Sequence, residues 1–402
     1  MTGFVHLRLH TEYSLLDGIV RVPELMTAVA AAAMPAVALT DQSNLFAMVK
    51  FYKEALSAGV KPLIGVDAWI REAGERSPPS RIVLLCQNLV GYRQLTQLVT
   101  RSFLEGQQRG IPMFEREWLT ADSLRGLVLL SGGTEGDIGR AIARGREDEA
   151  RRCLDNWLSL CGDRFYLEVQ RTGRAGELVY TEAVLDLAEG CGVAALATND
   201  VRFLARSEFE AHEARVCIHD GALLADLSRE RRYSEEQYLK SPAEMSELFA
   251  DAPELLANTV EVAKRCSLEI KLGASMLPAY PVPAGSTTEQ FLREESQQGL
   301  KARLAGRAAS AALAANSAAA TSAGPATSAP AAPVPAEYEH RLDLELGVIC
   351  SMGFAGYFLI VADFIRWARE NGVPVGPGRG SGAGSLVAYV LGITDLEPIE
   401  HD

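Results

Sequence analysis

The sequence predicts an α/β protein that opens with a βα barrel and continues into a second domain beyond about residue 270. Up to Asp200, short β-branched runs alternate with amphipathic stretches, the pattern of βα units around a parallel sheet or barrel. A helical region follows at Ser207–Cys217 and Ala243–Cys266, and then turn-rich sequence around Pro278, Pro281 and Pro283 marks a boundary. Helical periodicity resumes at Tyr338–Met352 and Phe358–Glu370, and Val373–Val375 reads as a short strand leading into a glycine-rich run.

The expected strands are Phe4–His10, Ala36–Thr40, Pro62–Ile70, Arg81–Cys86, Gly126–Ser131, Phe165–Gln170 and Val193–Thr198, and seven βα units favour a barrel over an open sheet. Helices are expected at Val22–Met34, with Pro23 near its first turn, and at Leu45–Ser57, Thr134–Arg144, Asp148–Leu160 and Gly176–Gly190. In Phe4–His10, Val5, Leu7 and Leu9 alternate with His6, Arg8 and His10, so one face is apolar and the other carries two imidazoles and a guanidinium. Asp41, Ser131-Gly132-Gly133 and Asn199-Asp200 sit where strands end, and the carboxyl ends of barrel strands are where site residues collect.

The 402 residues, 48% hydrophobic, suffice for more than one domain with a sizeable core. With 39 basic and 52 acidic residues, a net charge of −13, whole-molecule attraction to nucleic acid or an anionic membrane is excluded, and any DNA contact must be local. Seven widely spaced cysteines without a CxxC pair argue against a disulfide framework or zinc knuckle and fit a reducing cytoplasm. Neither a signal peptide nor a membrane span is expected, because the apolar stretch Leu25–Leu39 is short and broken by Pro35. Residues 306–336, almost all Ala, Ser, Thr, Pro and Gly, read as a flexible linker or insertion.

The run Gly376-Pro377-Gly378-Arg379-Gly380-Ser381-Gly382-Ala383-Gly384-Ser385 precedes an apolar helix candidate, Leu386–Leu391. A strand, a glycine loop and a helix N-terminus form a typical phosphate cradle, and Arg379 adds a donor fork suited to phosphate oxygens. Neither the Walker A pattern nor the dinucleotide fingerprint fits, since no Lys follows Lys301 and no second strand follows the run. Two readings stay open at this level: an anion cradle, or a tight glycine turn closed by a serine cap.

Together with Phe354-Ala355-Gly356-Tyr357-Phe358-Leu359-Ile360 and Gly392-Ile393-Thr394-Asp395-Leu396-Glu397-Pro398, this run closely resembles the first palm segments of the bacterial DNA polymerase III alpha subunit family. The resemblance implies a nucleotidyltransferase-type palm, in which Gly380 and Ser381, with Arg379 and less firmly Ser385, bind the triphosphate of an incoming deoxynucleotide. It also implies catalysis with Mg2+ held by an Asp-x-Asp motif past the matched residues. Asp395, Glu397, Glu400 and Asp402 match a different segment, and these residues alone are not expected to polymerise DNA.

His6, Ser14–Gly18, Thr40–Asn44, Ser131–Gly133, Thr198–Asp200 and Ala211–Glu213 resemble the PHP domain that begins this family, a distorted βα barrel whose active members hold up to three metals and hydrolyse phosphoesters. Carried over by position, the family's metal-binding histidines fall on Arg8, Gln42, Arg81 and Arg202, and its cysteine falls on Gly133. His10, Asp17, Asp67 and Asp200 remain. A guanidinium cannot shed its proton to coordinate a metal, so the site is expected to be degenerate and metal-free. The alternative is a metal-dependent phosphoesterase or 3′–5′ exonuclease. The resemblance further implies DNA primer-template and deoxynucleoside triphosphates as partners, the epsilon proofreading exonuclease docked on the PHP domain, and other holoenzyme subunits, including the sliding clamp, through other regions. His212 and His219 read as structural, and His340 and His401 carry no signal.

Overall fold

Most of the expected strands form, but one of them runs against the rest. The computed structural model describes all residues except 1–2, 16, 73–77, 109, 227, 230, 274–276, 319–332 and 402, so Leu16 of the first motif and Asp402 lie outside the described residues. The chain divides into two units, Met1–Lys271 and Leu272–Asp402.

In the first unit the strands are β1 (Ala36–Leu39), β2 (Lys61–Arg71), β3 (Ser80–Cys86), β4 (Gln107–Gln108), β5 (Ile111–Glu115), β6 (Leu127–Leu130), β7 (Phe165–Gln170) and β8 (Ala195–Thr198). β1 pairs β2, β6 pairs β7 and β7 pairs β8 in parallel, whereas β3 is antiparallel to both β2 and β6. The uniform βα repeat is thus corrected: β2 and β3 form an antiparallel pair, with no helix between them among the described residues. Arg81–Cys86 is buried on both faces, so its periodicity says nothing of direction.

Phe4–His10 contributes isolated parallel bridges rather than a ladder, His6 to Val37 on one side and Leu9 to Val201 on the other. These bridges join the segment to β1 and to the residues just past β8, so it closes the barrel. Phe4 through His10 are all buried, so the polar positions of the alternation, His6, Arg8 and His10, are enclosed within the protein as fully as Val5, Leu7 and Leu9.

Alternate residues feed two apolar clusters. Val37, Leu39, Ile82, Leu84, Leu127 and Leu129 join the larger one, which the flanking helices cover. Ala36, Ala38, Val83, Leu85, Val128 and Leu130 join the smaller one with Val262 and Ala263 of the helix Glu254–Arg265. Each such aliphatic side chain contributes about 1.5–3 kcal/mol on burial.

The helices of this unit are α1 (Val22–Ala31), α2 (Met48–Ser57), α3 (Leu89–Leu104), α4 (Asp137–Ala143), α5 (Glu147–Cys161), α6 (Glu177–Cys191), α7 (Phe209–Asp220), α8 (Pro242–Leu248) and α9 (Glu254–Arg265). α1 buries Val22, Leu25, Met26 and Val29, one helical stripe, and carries its proline in the first turn. α3 was not expected from the sequence, although Asn88 caps it by accepting from Val90 N (2.9 Å) and Gly91 N (3.2 Å).

The second unit holds α10 (Thr288–Ala318), α11 (Ala336–Ser351), α12 (Ala355–Glu370) and α13 (Leu386–Val390). Leu292, Leu300, Leu342, Leu346, Leu359 and Leu386 build its core. α10 corrects the linker reading for residues 306–318, which continue a helix because alanine is the strongest helix former; residues 319–332 lie outside the described residues. Val373–Val375 is not a strand, since no neighbour pairs with it among the described residues. Among the described residues no single helix is long and apolar enough to cross a membrane, although α11 and α12 pass by composition as a pair bent by 111°.

Candidate functional site

One end of the barrel gathers charge. On β2 the face carrying Leu63 of the smaller cluster continues to Asp67; on β7 it runs from Tyr166 to Glu168, and on β8 from Leu196 to Asp200 just beyond. The reversed β3 begins where its neighbours end, with Arg81 opposite Trp69 in register, so its first residues join the same cluster.

Asp67 Oδ2 accepts from Arg8 Nε (2.9 Å), Arg81 Nη1 (2.8 Å) and His10 Nε2 (3.0 Å), and Arg8 Nη2 forms an ion pair with it at 2.7 Å. Asp200 Oδ1 accepts from Arg202 Nη2 (2.8 Å) and Nε (3.1 Å), with Arg8 Nε at 3.4 Å. Asp17 Oδ2 forms an ion pair with Arg202 Nη1 (2.6 Å) and accepts from the Tyr233 hydroxyl (2.8 Å), while Arg202 Nη1 donates to the Asp17 carbonyl (3.3 Å). Glu168 lies 3.3 Å from Arg8 Nη1, and Arg174 Nη1 lies 3.4 Å from Asp200. Arg8, Asp67, Glu168, Asp200 and Arg202 are wholly buried.

Burial opposes ionisation of Asp17, Asp67, Asp200, Arg8, Arg81 and Arg202. For Asp17, Asp67 and Asp200 the adjacent guanidiniums outweigh it and hold the carboxyls well below the usual range. The carboxylates in turn hold Arg8, Arg81 and Arg202 above theirs. Asp41 differs. It meets hydroxyls and an N–H, from Thr11 and Ser14, and burial raises its pKa.

By spacing alone His10, Asp67 and Asp200 could hold a metal ion, their ligand atoms lying within 4.8 Å of one another. Asp17 is not in that group, though it shares Arg81 and Arg202 with it. Arginine N–H groups already occupy Asp67 Oδ2 and Asp200 Oδ1, the oxygens nearest His10. A divalent ion there would also sit among three full positive charges. His6 leaves the cluster, its Nε2 bonding the Lys240 carbonyl (2.8 Å), and burial pushes its pKa down to about 4. His212 bonds the Asp17 carbonyl (3.1 Å), and His219 is half-exposed on the last turn of α7.

Sequence reasoning missed Glu135, Glu168 and Arg174. Glu168 did leave a signal, a carboxylate in the middle of the apolar strand Phe-Tyr-Leu-Glu-Val-Gln, where burial without a partner is prohibitive. Glu135 and Arg174 sit in connections, where charge is unremarkable.

The glycine run of the second unit is exposed from Gly376 to Gly382, and Gly378 (φ 119°) and Gly380 (φ 60°) take conformations that disfavour a side chain. The Arg379 and Ser381 side chains make no hydrogen bond or ion pair with another described residue. Beside them lies a cavity of about 680 Å³ lined by Tyr357, Phe358, Phe364, Gly378, Arg379 and Thr394 among others. Ser385 caps α13, its Oγ accepting from Ala388 N (3.2 Å) and donating to Glu345 Oε2 (2.8 Å). The acidic residues after the loop are committed elsewhere. Both Asp395 oxygens lie 3.0 Å from Arg369 Nη2, Glu397 accepts from Glu400 N (2.7 Å), and Glu400 pairs with Arg307 (2.6 Å).

Residues 6–172 match the model of the PHP domain, and residues 290–402 match that of the bacterial DNA polymerase III alpha NTPase domain. The chain is 50% identical over 401 residues to the DNA polymerase III subunit alpha of Pseudomonas aeruginosa, 46% over 403 residues to that of Vibrio cholerae, and 45% over 399 residues to that of Escherichia coli K12. These alignments cover 99–100% of this chain, which spans 33% of each relative's length. Among solved structures, an amidohydrolase from Chromobacterium violaceum aligns over 53% of this chain and 97% of its own, at 14% identity and a TM-score of 0.38. The chain belongs to the bacterial DNA polymerase III alpha subunit family.

Proposed function

We propose that this chain serves template-directed DNA synthesis as the part of a replicative polymerase that receives the triphosphate of an incoming deoxynucleotide. The observation that carries the reading is the exposed loop Gly378–Ser381, whose backbone is free of side chains where φ is positive and whose Arg379 fork and Ser381 hydroxyl are unengaged beside a cavity. Arg379, Gly380 and Ser381 would hold phosphate oxygens. Ser385, grouped with them on sequence grounds, has its hydroxyl engaged inside the fold. Mg2+ would supply activation of the primer hydroxyl and charge neutralisation on the phosphates. Asp395, Glu397 and Glu400 are paired with arginines or backbone N–H groups, which supports binding as this chain's own share, and the 402 residues alone should incorporate no nucleotide. In the full-length polymerase, Arg379→Ala and Ser381→Ala should each raise the KM for deoxynucleotide at least about tenfold. An unchanged KM in both would sink the reading.

For the barrel we propose a structural and docking role without bound metal, supported by the guanidiniums already on the candidate ligand oxygens. The partner would be the epsilon exonuclease, the site of action the cytoplasm, and the remaining holoenzyme contacts would lie outside this chain. Metal analysis of the purified chain should find no stoichiometric zinc or manganese; two or three ions per chain would favour a phosphoesterase instead. A pull-down with epsilon at micromolar concentration that recovers nothing would end the docking proposal.

A further inference from the structure

The helix that follows the glycine loop does not offer its N-terminus to a ligand, because a side chain of α11 already fills it. Glu345 Oε1 accepts from Leu386 N (3.1 Å), and its Oε2 accepts from Val387 N (3.1 Å) and from Ser385 Oγ (2.8 Å). One turn earlier on the same helix, Arg341 donates its Nε to Glu345 Oε1 (2.7 Å) and its Nη2 to the Gly384 carbonyl (3.1 Å). The pair therefore grips the last peptide of the loop from both sides, one residue on its C=O and the other on the N–H groups that follow. Burial opposes ionisation of Glu345, but the N–H groups of Val387 and Leu386 outweigh it and hold the carboxyl below its usual range. An internal carboxylate, not a vacant cradle, is what balances the free N–H groups at the start of α13.

We propose that Glu345 and Arg341 are positioning residues for nucleotide binding: they anchor residues 384–387 so that Arg379 to Ser381 form the whole phosphate contact, and Ser385 touches no phosphate. This rests on the triphosphate reading of the loop given above. At Gly380, Gly382 and Gly384 a Cβ would meet nothing within 4 Å, and the other hold on the run is at its start, where Asp395 N donates to the Pro377 carbonyl (2.9 Å) and Gly378 approaches Thr394. Removing the grip would let the loop end move and cost binding of the nucleotide, with a much smaller effect on the step that follows.

The test is primer extension by the full-length polymerase, separating KM for deoxynucleotide from kcat. Glu345→Ala should raise KM about tenfold with kcat within about threefold, Glu345→Gln should recover part of the loss because its amide oxygen still accepts, and Arg341→Ala should raise KM about threefold. Ser385→Ala should stay within about threefold of wild type, and adding it to Glu345→Ala should worsen nothing. If Glu345→Ala does not fold, Glu345→Gln and Arg341→Ala carry the test. The proposal is overturned if Glu345→Gln and Arg341→Ala both leave KM unchanged, or if Ser385→Ala raises KM as far as Ser381→Ala does. In those cases an effect of Ser381→Ala would leave the triphosphate reading standing; no effect of Arg379→Ala or Ser381→Ala would remove that reading itself.

Discussion

At the barrel mouth, Arg8, Arg81, Arg174 and Arg202 interleave with Asp17, Asp67, Glu135, Glu168 and Asp200, and each of these groups has an oppositely charged partner inside the protein. At the glycine loop, Arg379 and Ser381 have none among the described residues, and the backbone is exposed. Both places concentrate the residue types that handle phosphate, so residue type alone does not separate them. The separating variable is where the counter-charge resides. In the barrel it is built in, and a ligand would have to break ion pairs in a medium of low dielectric; in the loop it is left for an incoming anion.

The sharpest way to break this contrast is to remove one built-in charge. Arg8→Ala leaves Asp67 and Glu168 buried without their main partner and should cost about 3–5 kcal/mol, read by denaturant unfolding through Trp69, Trp118 and Trp157. A loss below about 1 kcal/mol would mean water reaches the cluster, and the barrel would then resemble the loop.

The next largest effect is a pH dependence. His6 is neutral in the fold, with a pKa of about 4 against 6.5 when exposed, so the unfolded chain binds its proton first as the pH falls. Stability from this residue is complete above about pH 6.5 and declines towards pH 4, by about 3 kcal/mol at most. His6→Asn should flatten unfolding free energy over that window; an unaltered slope would place the titration elsewhere. Asp17, Asp67 and Asp200, with depressed pKa values, act in a lower window, their contribution being lost as the pH falls below about 4.

Smaller effects belong to the loop. Gly378→Ala forces a side chain to a φ of 119° and brings its Cβ to 2.9 Å from Thr394 Cγ2, so a loss of about 1–3 kcal/mol is expected by thermal unfolding. Gly382→Ala meets nothing within 4 Å and should change stability by under about 1 kcal/mol. A large loss at Gly382 would show that the loop is packed as tightly as the barrel.

Much of this was legible in the sequence. Six of the seven expected strands were read to within a residue or two because apolar runs bounded by turns leave few alternatives, and β7 matches its expected Phe165–Gln170 bounds, whereas the short β4 and β5 were not expected. The direction of β3 was not legible, because a strand buried on both faces carries no vectorial mark. Of the four surviving metal-site positions, His10, Asp67 and Asp200 do converge, and Arg8, Arg81 and Arg202, singled out in the sequence, neutralise the carboxylates, whereas Glu135 and Glu168, which balance those arginines, and Arg174 reach the cluster from separate connections and strands. Glu345 was missed for a related reason. Its carboxylate lies some forty residues from the helix it caps, and capping patterns in sequence are local.

The closure of the barrel by Phe4–His10 sets an order on its birth. Leu9 pairs with Val201, and Arg8 shares Asp200 with Arg202, so one side of the earliest segment of this sequence has no seat until nearly two hundred more residues have followed. At about 5–20 residues per second, a ribosome needs roughly 10–40 s to supply them. Through that interval one edge of a segment rich in leucine and valine stays unpaired beside Arg8, whose charge keeps the nascent edge hydrated and resists premature association. The same guanidinium that closes the finished site thus guards its opening strand while the barrel is still incomplete.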